Sequence, residues 1–94
     1  MKIRFYIDPE TDQPHIHEHG VTEVEVRQVL ARPGLVLKGR KNSRFALGQT
    51  VEGRYLKIVY APRRKGRGVF VITGYELRGK ELKAYRRRRR RRWS

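Results

Sequence analysis

Residues 43–60, SRFALGQTVEGRYLKIVY, contain two runs of β-forming residues, at 43–51 and 54–60, joined by the two-residue link EG. A link this short joins neighbouring antiparallel strands into a hairpin. Two further runs rich in β-branched and aromatic residues flank the hairpin, at 35–38 and 69–75. The turn-like links between the four runs predict an antiparallel meander. The unbroken apolar run VFVIT predicts a central strand buried on both faces.

The segment before the meander, VTEVEVRQVLARPG (21–34), predicts a helix. Thr22 and Glu25 have the spacing of a capping box, in which each side chain bonds the backbone amide of the other residue. Val26, Val29 and Leu30 share one face by their three and four spacing. The Pro-Gly pair at the end of the segment stops the helix. We therefore expect the apolar face of this helix to pack against a sheet.

The two ends of the chain complete the predicted fold. KIRFYID (2–8) predicts an opening strand, and the polar TDQPHIHEHG holds at most one turn of helix, ended by Gly20. GKELKAYRRRRRRR predicts a terminal helix with Leu82 and Tyr85 facing inward; like charges at i,i+4 disfavour a free helix beyond Tyr85. We expect an α+β fold: a small, mostly antiparallel sheet packed on one face by one or two helices, with a basic C-terminal helix. Residues 1–85 would form one domain and residues 86–94 an arginine-rich tail.

Composition restricts the class of protein. Ninety-four residues make one small domain, and the absence of cysteine excludes disulfides and thiolate zinc sites and fits a reducing compartment. No apolar run reaches the length of a membrane span, and the N-terminus has no signal-peptide pattern. We therefore expect a cytoplasmic protein without membrane contact. The sequence does not predict an oligomeric state.

Charge is the strongest compositional signal. The chain has 24 Lys and Arg against 9 Asp and Glu, a net charge of +15, and residues 1–77 alone carry +6. Such a field attracts polyanions, of which nucleic acid is the commonest in cells, although a solvated basic surface or a targeting signal has a similar composition. Candidate nucleic-acid-binding residues are Lys57, Arg63, Arg64, Lys65, Arg67, Lys80, Arg86, Arg87, Arg88, Arg89 and Arg90.

Three histidines, at positions 15, 17 and 19, lie in PHIHEHG. In a strand all three imidazoles would face one way and could hold a metal, whereas in a helix only His15 and His19 would meet. No downstream histidine or cysteine completes a tetrahedral shell, so we expect no metal and no cofactor. Packing beside the helix and acid–base chemistry toward a substrate remain alternatives.

The order of the motifs resembles that of the BrnT-like toxins, and of a related, uncharacterised bacterial family of basic RelE-like domains, within the RelE-like superfamily of small toxins. HEHGVTEVEVRQVL is similar to the family's KHGV start of an acidic-apolar helix. RFALGQTVEGRYLKIVY is similar to its RF...G....GR.L.V.Y hairpin, and VFVITGYELRGKELKAYRRR to its last strand and basic helix. The resemblance implies a type II toxin that cleaves RNA without a metal. It also implies a cognate antitoxin protein as partner.

The resemblance matches Arg44, Arg54, Tyr75 and His19 to positions of interest in the family. The residues themselves permit the reaction: His19 or Tyr75 would take the proton of the RNA 2′-hydroxyl. Arg44 and Arg54, the latter on one strand face with Tyr60, would offset charge on the phosphorane oxygens. A second group such as Tyr60 or His17 would protonate the leaving 5′-oxygen. The predicted catalytic residues are His19, Arg44, Arg54, Tyr60 and Tyr75.

Whether the protein is an enzyme stays open at this level. The alternative is a non-catalytic RNA-binding or ribosome-associated protein, in which the arginines provide nearly all the affinity. That alternative predicts a steep dependence of binding on salt and no cleavage.

Overall fold

The computed structural model describes the backbone of residues 2–63 and 68–93, and the side chains of 2–63 and 68–90. Strands β1 to β7, a 3-10 helix and helices α1 and α2 follow one another along the chain. In order they are β1 (Lys2–Phe5), β2 (Ile7–Asp8), β3 (Gln13–Pro14), the 3-10 helix (His15–His19), α1 (Glu23–Ala31), β4 (Leu35–Lys38), β5 (Arg44–Gln49), β6 (Tyr55–Pro62), β7 (Gly68–Glu76) and α2 (Gly79–Trp93).

Five of the strands form one sheet in the order β1-β7-β6-β5-β4. Strands β4 to β7 make the antiparallel meander that the short links predict. Strand β1 adds to the far edge of β7 in the parallel direction, and its connection to β7 runs through the rest of the sheet. The predicted α+β class with a mostly antiparallel sheet is confirmed.

The register of the meander fixes which residues lie at each end of the sheet. Gln49 pairs with Tyr55 at one end, and Arg44 pairs with Tyr60 at the other. About 16 Å of strand separates Tyr55 from Tyr60, at a rise of about 3.3 Å per residue. Side chains near the start of β6 therefore belong to a different part of the molecule from those near its end.

Helix α1 and the 3-10 helix cover one face of the sheet. Val26 and Val29 of α1 are completely buried, as is Ile58 of β6, and Ile16 of the 3-10 helix is 1 % exposed. These side chains pack with Ala46 into one apolar cluster. Each large apolar side chain buried there contributes about 1.5 to 3 kcal/mol. This cluster is the main core of the domain.

Helix α2 packs on the opposite face of the sheet. Tyr85 is 5 % exposed and lies in a second apolar cluster with Leu47 and Leu77, and Leu82 packs against that cluster. A Cβ added to Gly34 would overlap the Tyr85 hydroxyl, so glycine is required for the close approach of the helix. The prediction that Leu82 and Tyr85 face inward is confirmed.

The predicted caps of the two N-terminal helical segments are present. The Thr22 hydroxyl accepts a hydrogen bond from the Glu25 amide at 3.2 Å, and the Glu25 carboxylate accepts one from the Thr22 amide at 3.0 Å. The 3-10 helix ends at Gly20, whose φ of 70° lies in the left-handed region that glycine adopts without strain. Short-range sequence signals therefore fix this part of the fold.

Two strand predictions need correction. The opening strand ends at Phe5, because the chain turns at Pro9 and residues Ile7–Asp8 pair instead with Gln13–Pro14. The VFVIT strand lies beside the central β6 and is not buried on both faces, since Ile72 is 36 % exposed. Val59 pairs with Thr73 and Tyr60 with Val71, so Ile72 is the extra residue of a β-bulge. The bulge shifts the alternation of side chains along β7.

The C-terminal helix is longer than the repulsion between its arginines suggests. Helix α2 continues past Tyr85 to Trp93, so the expected boundary after residue 85 falls inside one helix. Contacts between the first arginines and the sheet, described below, favour this extension. Among the described residues, no helix combines the length and the apolar character that crossing a bilayer requires.

We predict that Gly34→Ala destabilises the fold by about 1 to 3 kcal/mol, because the added methyl group displaces the Tyr85 ring and overpacks the contact. Urea unfolding at neutral pH measures the loss. The matched background is Tyr85→Phe, which removes the hydroxyl nearest to the added methyl group. In that background the same glycine substitution should cost less, and equal costs in both backgrounds would contradict the assigned contact.

Candidate nucleic-acid interface

The first arginines of α2 make specific contacts with the sheet. The guanidinium carbon of Arg86 lies 4.9 Å from the centre of the Tyr55 ring, a cation–π arrangement. One turn later, Arg89 Nη1 donates a hydrogen bond to the Gly34 carbonyl at 3.1 Å. The rings of Tyr55 and Tyr85 meet edge to face, with centroids 6.0 Å apart. One side of the arginine run is therefore turned toward the protein.

A cavity of about 430 Å³ opens beside these contacts, and we call it the arginine cavity. Its walls come from the end of α1, from β5 and β6, and from α2. None of the described residues that line it is acidic. The lining residues are Arg32, Gly34, Gln49, Tyr55, Tyr85, Arg86, Arg89 and Arg90. Four guanidinium groups around one cavity create a site suited to an anion, since each offers a planar fork of donors to phosphate oxygens.

Three of these residues were predicted from the sequence, and others were not. Arg86, Arg89 and Arg90 were predicted to bind nucleic acid, whereas Arg32, Gln49 and Tyr55 were not. The alternation of side chains along β6 places Tyr55 on the face opposite to Arg54. However, only the docking of α2 reveals that this face carries the arginines. Arg32 gives no such signal, because it reaches the cavity from the end of a distant helix.

Tyr85 acts as an anchor beneath the cavity. Burial raises the pKa of the Tyr85 hydroxyl, and the positive charge of Arg89 opposes that effect only in part. The phenol therefore stays neutral at physiological pH. Its contribution is apolar contact with the sheet, which leaves the guanidinium groups as the charged part of the site.

Two predicted catalytic residues, His19 and Tyr75, lie together at the C-terminal part of β7. Their ring centroids are 6.1 Å apart in an edge-to-face arrangement, and His19 is exposed. Lys57, the partner of Tyr75 across β6 and β7, has its Nζ atom 5.7 Å from the centre of the tyrosine ring. Lys57 also bonds the Glu81 carboxylate of α2 at 3.1 Å. A histidine, a phenol and an ammonium group thus form one polar cluster.

The ammonium group of this cluster is charged at neutral pH. Partial burial acts to lower the pKa of Lys57, but interactions with the Tyr75 hydroxyl and the Glu81 carboxylate outweigh it, so the pKa is raised. The Nζ atom of Lys57 also lies 4.6 Å from the centre of the Phe45 ring, a cation–π contact. Lys57 is therefore a fixed positive charge beside Tyr75.

Arg54, predicted to stabilise a transition state, is engaged in the fold. Its Nη1 atom donates to the Gly20 carbonyl at 2.9 Å and to both oxygens of the Glu25 carboxylate, each at 2.9 Å. Partial burial acts to raise the pKa of Glu25, but the Thr22 amide and the Arg54 guanidinium outweigh it and lower the pKa. Arg54 thus links β6 to the N-terminus of α1.

Arg44 and Tyr60 lie at the other end of the sheet from Arg54. They face each other across β5 and β6, Tyr60 packs against the main apolar cluster, and Arg44 Nη1 donates to the Ser43 carbonyl at 3.0 Å. Arg54 and Tyr60 do share the predicted face, which is the face that α1 covers. The five residues proposed for catalysis are therefore not assembled in one place: His19 contacts Tyr75, Arg44 pairs with Tyr60 at the other end of the sheet, and Arg54 bonds Glu25.

The remaining candidate nucleic-acid-binding residues are dispersed. Arg63 and Lys80 are exposed at the ends of β6 and α2, and Arg87 and Arg88 are exposed on α2. Arg88 lines a smaller, mostly apolar cavity of about 150 Å³ between α2 and the sheet. The other three, Arg64, Lys65 and Arg67, lie outside the described residues.

The three histidines do not face one way. His17 Nε2 contacts the Glu23 carboxylate at 2.7 Å, while the rings of His15 and His19 meet with centroids 5.4 Å apart, as expected for a helix. His15 Nδ1 instead lies 3.2 Å from Asp8 and 3.5 Å from Glu18. Asp8, His15 and Glu18 offer ligand atoms within 4.8 Å of one another, a donor set that suits a divalent cation.

The same three residues also account for one another as ion pairs. The Glu10 amide and the His15 ring lower the pKa of Asp8, so its carboxylate is ionised at neutral pH. His15 lies between the two carboxylates and so connects the small β2–β3 hairpin to the 3-10 helix. This arrangement explains the positions of Asp8 and Glu18 without a metal.

Comparisons with protein-family models, with curated proteins and with solved structures found no match to this chain. The resemblance to the BrnT-like and RelE-like toxins therefore rests on the motifs quoted above, and it stays a prediction.

We predict that Arg54→Ala lowers the free energy of unfolding by about 1 to 2 kcal/mol at neutral pH, because Glu25 and the Gly20 carbonyl lose their partner. Arg44→Ala is the matched control, with the same change of charge. Its contact is to a neighbouring backbone carbonyl, so we expect a loss of at most about 0.5 kcal/mol. Equal losses in urea unfolding would contradict a structural role specific to Arg54.

The ion pair also predicts a dependence on pH. The pKa of Glu25 is lowered in the folded protein from its ordinary value of 4.5, so the stabilisation is present above that value and is lost as the pH falls through the folded pKa. The stability difference between the wild type and Glu25→Gln should therefore be largest near neutral pH and shrink in acid. A difference that is constant with pH would be evidence against the pair.

Proposed function

We propose that this protein binds RNA through the arginine-rich side of α2 and the arginine cavity. One observation carries the proposal: four arginines, three from α2 and one from the end of α1, surround a single cavity beside two tyrosines. Guanidinium groups bind phosphate oxygens as forks, and the half-buried Tyr55 ring beside them offers a surface for a base or a ribose. Affinity would come mainly from the phosphate backbone, with little sequence preference.

The charge distribution supports this proposal. Arg54 and Lys57 are paired with carboxylates, whereas the described lining of the arginine cavity holds four cations and no acid. Like charges at i,i+3 and i,i+4 along α2 repel one another. Bound phosphates would relieve that repulsion and release counterions, so binding converts an unfavourable interaction of the free protein into affinity.

We predict that RNA affinity falls steeply with salt, with a log–log slope of about 0.7 to 0.9 per phosphate neutralised. Replacing Arg86, Arg89 and Arg90 with alanine should reduce that slope by about 2 to 3 and weaken binding. The matched control replaces Lys38, Arg40 and Lys41, three exposed cations near the opposite end of the sheet. Fluorescence anisotropy with a short RNA measures all three proteins.

Two results would remove the proposal. One is the absence of measurable RNA binding in dilute buffer. The other is an equal loss of affinity in the two triple variants, since binding would then depend on net charge alone. Thermal unfolding of each variant checks that it is folded at the temperature of the binding experiment.

A second candidate function is metal-independent RNA cleavage, as in the toxins that the sequence resembles. The observation that favours it is the cluster of His19, Tyr75 and Lys57. In the proposed reaction His19 or Tyr75 takes the 2′-hydroxyl proton and the 2′-oxygen attacks the adjacent phosphorus. The bond to the 5′-oxygen then breaks, and that oxygen receives a proton. Lys57 would stabilise the charge on the phosphorane.

This second proposal includes the cytoplasm as the compartment and a cognate antitoxin protein as partner. A free nuclease with an open basic surface would damage the RNA of its host. A protein that carries acidic segments would neutralise it by covering the arginines. The oligomeric state does not enter either proposal.

If the protein is a nuclease, cleavage of RNA in excess chelator should fall about 100-fold or more in His19→Ala and in Tyr75→Phe, since each removes a proton-transfer group. Tyr6→Phe is the matched control, because Tyr6 is an exposed tyrosine outside the cluster. Gel analysis of a labelled RNA measures the rate. No cleavage by the wild type, or equal rates in the two tyrosine variants, would leave RNA binding as the sole function proposed.

A further inference from the structure

We propose that the arginine cavity binds the terminal phosphate of an RNA strand in preference to the phosphates within the strand. This inference rests on the RNA-binding function proposed above, and it specifies which part of the RNA the cavity takes.

The size of the cavity suits one small anionic group. Its lining comes from α2, the end of β5, the start of β6 and the end of α1. Its volume of about 430 Å³ lies in the range of pockets that hold one small ligand.

The charge of the cavity suits a group with more than one negative charge. A phosphate within a strand carries one negative charge, while a terminal phosphate carries about 1.5 to 2 at neutral pH and has three free oxygens. Arg32, Arg86, Arg89 and Arg90 together offer more positive charge and more donors than one internal phosphate can use. A terminal phosphate matches that excess better.

Two of the four guanidinium groups are held in place before any ligand binds. Arg86 lies over the Tyr55 ring, and Arg89 is bonded to the Gly34 carbonyl. Fixing these long side chains in the free protein reduces the entropy lost when an anion binds. A site with arranged donors favours a ligand that uses several of them at once, as a terminal phosphate does.

Arg32 distinguishes binding in the cavity from binding along the arginine run of α2. It is the C-cap residue of α1, so it reaches the cavity from a different helix. A strand bound only along the outer side of α2 has no need of Arg32. If the cavity takes a terminal phosphate, this arginine contributes to recognition of the end group.

The experiment compares one short RNA sequence with a 5′-phosphate, with a 3′-phosphate and with hydroxyl groups at both ends. Anisotropy measures the affinity of the full-length protein for each. We expect one or both phosphorylated strands to bind about tenfold more tightly than the hydroxyl strand, as an added charge-assisted hydrogen-bonded group provides. The preferred strand identifies which end the cavity takes.

Two arginine variants test the site itself. Arg32→Ala should weaken binding of the hydroxyl strand by the loss of one cation and, beyond that loss, remove most of the advantage of the phosphorylated strand. Arg27→Ala is the matched control: it removes the same charge from an exposed position of α1 that does not line the cavity. It should keep the full advantage.

Each outcome decides the proposal. Equal affinity for the three strands overturns the terminal-phosphate inference while leaving RNA binding intact, and loss of binding to all three overturns the proposed function itself. Equal effects of the two arginine variants on the phosphate advantage also overturn the inference. A free nucleoside 5′-monophosphate is added as competitor. If it displaces the RNA at an equal concentration, the ligand is a free nucleotide and the inference for RNA ends fails.

Discussion

Burial of Tyr85 against the sheet is the constraint on which the arrangement of the arginines depends. The ring is 5 % exposed, packs with Leu47 and Leu77, and fits only because position 34 has no side chain. A helix turns by about 100° per residue, so once Tyr85 faces inward the directions of the following residues are set. Arg86 and Arg89 then border the contact, while Arg87 is exposed. One buried tyrosine thus divides a uniform run of arginines into two chemically different sides.

Signals that act over a few residues were sufficient to predict much of the fold. The Thr22–Glu25 capping box, the left-handed Gly20 and the short links of the meander each depend on neighbours in sequence, and all are present. The errors concern contacts between distant parts of the chain. The parallel pairing of β1 with β7 leaves no local pattern, and neither does the bulge that exposes Ile72.

The sequence predicted that the candidate site would be rich in cations, but it did not predict which residues would form it. Nine acids cannot pair 24 bases, so an excess of unpaired cations was certain from the sequence. Which cations are paired is a property of the fold: Arg54 meets a carboxylate 29 residues earlier, and Lys57 meets one 24 residues later. Arg44 and Arg54 of the hairpin were therefore predicted to act in catalysis. In the structure, Arg54 instead bonds Glu25 in the first turn of α1. Tyr55, on the opposite face of the same strand, is the one that meets the arginines of α2.

Repulsion between the arginines of α2 destabilises the helix, and the same repulsion would favour the binding of an anion. Repulsion between the arginines opposes the helix beyond Tyr85, and the contacts of Arg86 with Tyr55 and of Arg89 with Gly34 counteract it. Under the proposed function, an anion in the arginine cavity would remove part of the repulsion without disturbing these contacts. Binding an anion and stabilising α2 would then be linked events. The aromatic contacts hold the geometry, and under the proposed function the positive charge of the arginines would supply the affinity.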